Sequence, residues 1–265
     1  MNKDKRQEMM TFGGHLEVLR RMLFRMIAVV SAIAVAVFCL KDVTWHLLLA
    51  PSESDYVTYR VIEKIMALFG TDFHFTQFNV DLIATDLSSQ FMMHITTSIY
   101  LGILGGSPYI LYELFRFISP ALYEEEKKYS GVLVFIVYAL FVIGVLMSYF
   151  VLFPISFRFL GTYSVADRIH STITLDSYIS TFTTLTFIMG VVFQLPVIAF
   201  VLAKFRVVSS ATLAKYRKHS FLVIMILAAI ITPPDIMTLV LVTIPLYLLY
   251  EISIRVTKWV ESNNN

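Results

Sequence analysis

Apolar residues fall in six stretches, at about 22–40, 95–115, 131–153, 178–203, 220–232 and 236–252, separated by segments that carry nearly all of the charge. Four of them approach or exceed the roughly 20 residues a helix needs to cross a hydrocarbon core of about 30 Å, so the pattern predicts an all-α integral membrane protein with six spans. The fifth is anomalous, because 13 residues make only about 20 Å of helix at ~1.5 Å per residue. Pro233 and Pro234 stop it, and the sixth is also short before Glu251 and Arg255. Two arrangements satisfy this pattern: short spans that thin the bilayer, or a re-entrant hairpin that never crosses it.

Local signals refine the elements. Gly13 and Gly14 interrupt the polar N-terminal segment, and a helix is expected to open at His15. Leu16, Leu19, Leu23 and Met26 recur at spacings of three and four, giving one apolar face with Glu17, Arg20 and Arg21 on the wetter side. Residues 41–93 form a cap loop with Pro51 soon after the first helix, a helical pattern over 57–69, and Asp86 placed to cap the segment leading into the second span. The second span contains Gly102, Gly105, Gly106 and Pro108, which predicts close packing and a kink. Gly102 and Gly106 match GxxxG, a pair too common in membrane helices to establish a dimer. No boundary divides the chain, so 1–265 reads as one membrane domain.

Charge orients these spans. Sixteen of the 21 Lys and Arg residues lie in the N-terminus, the second loop, the fourth loop and the tail. The other connections hold only Lys41, Arg60, Lys64, Arg158 and Arg168, beside ten acids. The excess of positive charge places both termini in the cytoplasm and 41–93 on the opposite side. A 57% hydrophobic content and a mean hydropathy of +0.74 exceed what one soluble core of this length can hide. No basic cluster with interleaved aromatics points to nucleic acid. Cys39 stands alone, which excludes an intramolecular disulfide, and it reads as a small buried apolar residue. The polar start and the lack of a small-residue cleavage site predict a permanent first span.

Catalytic signatures such as HExxH, GxSxG and Walker A are absent, and the six His residues lack metal-ligand spacing, so neither an enzyme nor a bound cofactor is expected. The candidate chemistry lies in two acids on the basic side: Glu17 in HLEVLR, and Glu126 closing FRFISPALYEEE. A partly desolvated carboxylate offers a bidentate, charge-assisted partner to a guanidinium. On pattern alone the simpler reading is stronger: Glu17 pairs with Arg20 or Arg21 on its own helix, and the EEEKK run is a solvated face.

HLEVLR, FRFISPALYEEEKK, YFVLFP, ITPPD and PLYLLYEISI together resemble, in order and over nearly the whole chain, the TatC family, the multi-spanning receptor subunits of the twin-arginine protein translocase. The resemblance implies six helices in a concave, glove-like arrangement with short helices five and six, in a bacterial cytoplasmic (inner) membrane. It implies a receptor for folded cargo whose signal peptides bear two consecutive arginines, working with TatA and TatB type single-span subunits, self-associating, and driven by the proton-motive force. On that reading Glu17 takes the part of the acid in the family's HLxELR motif and Glu126 that of the acid after FxxPxLY. Phe117 takes the aromatic position, and Arg20 sets the local charge. Pro51, Pro108, Pro154 and Asp235 also match family positions, for which shaping loops and helix ends competes with direct binding.

Two departures from the family pattern stand out. Gln194, about 14 Å from the cytoplasmic end of the fourth span, stands where members often carry Glu, and an amide cannot carry a proton. It is expected either to bond a partner helix or to satisfy a carbonyl freed near Pro196. The loop between Pro51 and Asp86 also exceeds the usual length. A small-solute or ion transporter with broken helices is the rival reading, against which the chain shows no internal repeat and few ionisable residues in its spans.

Overall fold

The computed structural model describes residues 12–70, 82–118, 130–164, 166 and 172–263, and within these it is almost entirely helical. The helices are α1 (Phe12–Cys39), α2 (Lys41–Leu49), α3 (Val57–Leu68), α4 (Ser89–Ile118), α5 (Ser130–Met147), α6 (Phe153–Thr162), α7 (Leu175–Val192), α8 (Leu195–Lys204), α9 (Ser210–Lys215), α10 (Arg217–Ile231) and α11 (Ile236–Asn263). Two short strands, β1 (Leu82–Ile83) and β2 (Ile173–Thr174), pair in parallel. Among the described residues, four helical segments are long and apolar enough to cross a membrane: Leu16–Cys39, Leu133–Thr162, Leu175–Lys204 and Ile236–Asn263. The second and fifth apolar stretches lie in α4 and α10, and the 15 residues of α10 give only about 22 Å of helix at ~1.5 Å per residue.

The chain packs as two compact units. One comprises α1 with the segment 98–135; the other comprises 40–97 and 136–265. In the first, a Cβ added at Gly102 would stand 2.8 Å from Ala34 Cβ and 2.9 Å from the Val30 carbonyl oxygen. The glycines of the GxxxG pair therefore admit α1 of the same chain. Pro108 lies inside α4 and cannot donate to the Leu104 carbonyl, which instead accepts the Ser107 hydroxyl at 2.6 Å.

The second unit is centred on α6, α7 and the turn before α6, where Leu152, Phe153, Tyr178, Ile179, Leu185 and Met189 are at most 1% exposed. Phe153 meets Tyr178 and Phe182 edge-on, with ring centroids 5.0 Å away in both cases. Between α5 and α6 the chain makes a π-helical turn, Ser148–Leu152, that ends two residues before Pro154. Proline again explains the break: Pro154 has no N–H for the Phe150 carbonyl, which accepts the Thr58 hydroxyl of α3 instead.

Some local expectations change. Gly13 and Gly14 lie within α1 instead of preceding it, because the leucine repeat that follows propagates the helix through them. Cys39 is exposed, not buried in the core: it ends a helix whose membrane window is only 6% covered by protein.

Candidate functional site

Glu17 sits near the start of α1, where its Oε1 accepts from Arg20 Nη2 and Arg21 Nε, each at 3.0 Å. These are the contacts that i,i+3 and i,i+4 spacing dictates. All three side chains are open, with relative exposures of 40% for Glu17, 66% for Arg20 and 70% for Arg21. In register, Glu17 stands one residue ahead of the acid of HLxELR, a place that Val18 holds here. One residue is a rotation of about 100° around a helix, so the carboxylate leaves α1 in a different direction from the one the motif implies. Val18 itself is exposed.

Phe117, near the end of α4, is exposed. Glu126, the second predicted acid, lies outside the described residues. One turn before Phe117, α4 carries a group that sequence reasoning passed over. Glu113 is buried, at 8% side-chain exposure, with Arg25 Nη1 of α1 3.8 Å from its Oε1 and the Tyr109 hydroxyl donating to the same oxygen at 2.8 Å. A lone acid in an otherwise apolar run was the signal available, since a carboxylate at such a place needs donors. Glu17, Arg20, Arg21, Arg25, Glu113 and Phe117 all belong to the first compact unit.

The remaining predicted residues are held in architectural contacts. Asp235 caps α11, its Oδ1 accepting the Thr238 amide at 2.6 Å. Pro51 and Pro154 share one partner: the buried Tyr59 hydroxyl lies 3.2 Å from the Pro51 carbonyl and 2.8 Å from that of Pro154. The Arg158 guanidinium covers the Tyr59 ring at 4.9 Å. Burial pushes the phenols of Tyr59 and Tyr56 above their ordinary range, so both remain donors. Gln194 stands where α7 gives way to α8, two residues before Pro196, and its Nε2 donates to the Val137 carbonyl of α5 at 3.1 Å. The amide thus ties two spans together, and does not serve a carbonyl of its own kink. Its Oε1 is enclosed without a partner among the described residues.

Comparison with known proteins agrees with this architecture. The family model for the Sec-independent protein translocase protein (TatC) matches residues 14–245. The TatC of Blattabacterium sp. subsp. Periplaneta americana is 34% identical over 262 residues, 97% of this chain and 98% of that protein. The TatC of Carboxydothermus hydrogenoformans is 32% identical over 253 residues, 95% of this chain and 94% of that one. A crystal structure of a twin-arginine translocase receptor, TatC, superimposes with a TM-score of 0.73 at 31% identity, covering 93% of this chain and 99% of that one. With a family model over most of its length and relatives matched nearly end to end, the chain belongs to the TatC family, multi-pass membrane subunits of Sec-independent protein translocation.

Proposed function

We propose that this protein is the twin-arginine signal receptor of its translocase: Glu17 and Glu126 hold the arginine pair at the cytoplasmic face, and Phe117 packs beside it. The observation that carries this reading is the family match, together with a half-open carboxylate at Glu17 that already binds two guanidiniums. An incoming arginine replaces one that is there, so the exchange at Glu17 is close to balanced and confers specificity more than affinity. Affinity then comes from Glu126 and from the signal's apolar segment lying against the helices. Arg20 competes for the same oxygen and tunes the exchange.

The topology that goes with this function has six spans in a glove-like arrangement, both termini in the cytoplasm and 41–93 outside, in a bacterial inner membrane. TatA and TatB type subunits are recruited after binding, copies of this chain associate, and the proton-motive force supplies the energy. No bond in the cargo is broken. Gln194 keeps α5 against the fourth span through its bond to the Val137 carbonyl. Asp235, Pro51, Pro108 and Pro154 shape the frame.

Photocrosslinkers at positions 17, 117 and 126, in native membranes, test this against signal peptides carrying Arg-Arg or Lys-Lys. Crosslinks are expected only with Arg-Arg, and Glu17→Lys with Glu126→Lys is expected to abolish them in the neighbouring Phe117 probe. Crosslinks indifferent to the arginines would return both acids to plain surface charge.

A further inference from the structure

The long connection between Pro51 and Asp86 contains α3, a helix with two unlike faces. On one, Tyr59 is 1% exposed and bonded to the carbonyls of Pro51 and Pro154. On the other, Val57, Val61, Ile65 and Leu68 are 51%, 47%, 49% and 85% exposed. At 3.6 residues per turn these four fall within an arc of about 80°, so they form one apolar stripe turned away from the fold. Arg60 and Lys64, both exposed, border one edge of it, and Phe69 follows at its end, 78% exposed.

The attachment of α3 places the stripe beside the third apolar span. Its first turn is fixed to the third apolar span: the Tyr56 hydroxyl donates to the Tyr149 carbonyl at 3.3 Å and Thr58 donates to that of Phe150. The Phe150 ring stacks on Tyr56 with centroids 6.2 Å apart and planes 12° off parallel. Phe150 is itself exposed and continues a row of exposed apolar residues on the same span, Ile136, Ile143 and Leu146. The row lies on a segment of 30 residues, long and apolar enough to cross a membrane, with only 22% of its apolar window buried by the protein. The stripe of α3 begins where the row ends.

We propose that α3 is an interfacial helix, lying in the phospholipid leaflet at the end of the third span, with its stripe among the upper acyl carbons. Lys64 lays its aliphatic stem along the lipid and reaches its phosphates, while the Arg60 guanidinium is held by Asp55, its Nε 2.9 Å from both Oδ1 and the main-chain carbonyl oxygen. The cap is thereby anchored at two levels, to the span by main-chain carbonyls and to the leaflet by the stripe. A second copy of the chain fits less well, because the exposed row that the stripe continues lies on a segment of the length and hydropathy of a membrane span.

The test uses the full chain in vesicles of phosphatidylethanolamine and phosphatidylglycerol. Cys39→Ser removes the one cysteine, and single nitroxides are placed through Val61→Cys, Ile65→Cys or Leu68→Cys, with Ser54→Cys as a loop control. Collisions with oxygen, which enters lipid, and with a water-soluble nickel chelate report depth. Labels on the stripe are expected about 5–10 Å below the phosphates, with an oxygen-to-nickel ratio several-fold above that at position 54. A ratio equal to that at 54 would overturn the proposal in favour of a solvated face. Exclusion of both reagents would overturn it in favour of a protein cover, and dipolar broadening that grows with the labelled fraction would identify that cover as a second copy.

Discussion

Around Tyr59 the polar contacts join distant parts of the chain. Tyr56 and Tyr59 reach carbonyls more than 90 residues away, and Tyr178 donates to the Leu48 carbonyl across 130 residues at 2.7 Å. Around Glu17 the ion pairs with Arg20 and Arg21 join residues three and four positions apart on one helix. The first set is buried or part-buried and directional, so removing one hydroxyl leaves its partner's desolvation cost uncompensated. The second set is exposed, and water replaces a lost partner at little cost. A region that must define the fold and a region that must exchange one guanidinium for another need these opposite constructions.

The largest effect that would sharpen this contrast lies in the aromatic centre beneath the cap. Phe153→Ala removes a ring 1% exposed from contact with Tyr178 and Phe182, and is expected to cost about 3 kcal/mol, the lower end for such truncations, because a membrane interior offers no water-transfer contribution. Thermal unfolding in detergent measures it, and a small shift would mean that the second unit lacks a rigid centre. Next comes Tyr59→Phe, which strips one hydroxyl from two carbonyls at about 1–3 kcal/mol. Its pH dependence has a definite sign. The folded phenol is raised above its ordinary value of 10.0, so the folded state holds its proton where the unfolded chain releases it. Stability is therefore unaffected below about pH 10 and falls as the pH rises beyond it. In Tyr59→Phe the alkaline decline should be shallower, and an equal decline would place the titration elsewhere.

Most elements were legible because their causes are local. Apolar runs became helices, the 57–69 pattern became α3 at Val57–Leu68, and Pro233-Pro234 with Asp235 became the break and cap between α10 and α11. What escaped depends on residues far apart in sequence. Nothing near Tyr59 announces that its hydroxyl lies between Pro51 and Pro154, and Arg25 approaches Glu113 only because α1 and α4 meet through Gly102. A lone acid in the second apolar run was a readable sign of a buried carboxylate. The bond from Gln194 to Val137 was half legible: the amide was known to need a partner, but which helix would supply it was not. At Glu17 the helical spacing foretold both ion pairs, while the match to the family motif hid a shift of one residue.

The smallest effect expected on stability is at Glu17, and it tests the contrast most directly. Glu17→Gln leaves α1 its shape and apolar face, removes the charge that Arg20 and Arg21 share, and lets both guanidiniums turn to water they already touch. No resolvable change in the unfolding midpoint is expected, whereas the arginine-dependent crosslink from position 117 should weaken because the amide accepts a guanidinium without charge assistance. Adding salt should narrow the difference between wild type and variant in crosslinking, since an exposed pair is screened within about 10 Å at 0.1 M ionic strength. A midpoint that fell as far as in Tyr59→Phe would show that Glu17 is bound into the fold as firmly as the tyrosines are. The carboxylate would then be a strut of α1, with no freedom to trade one arginine for another.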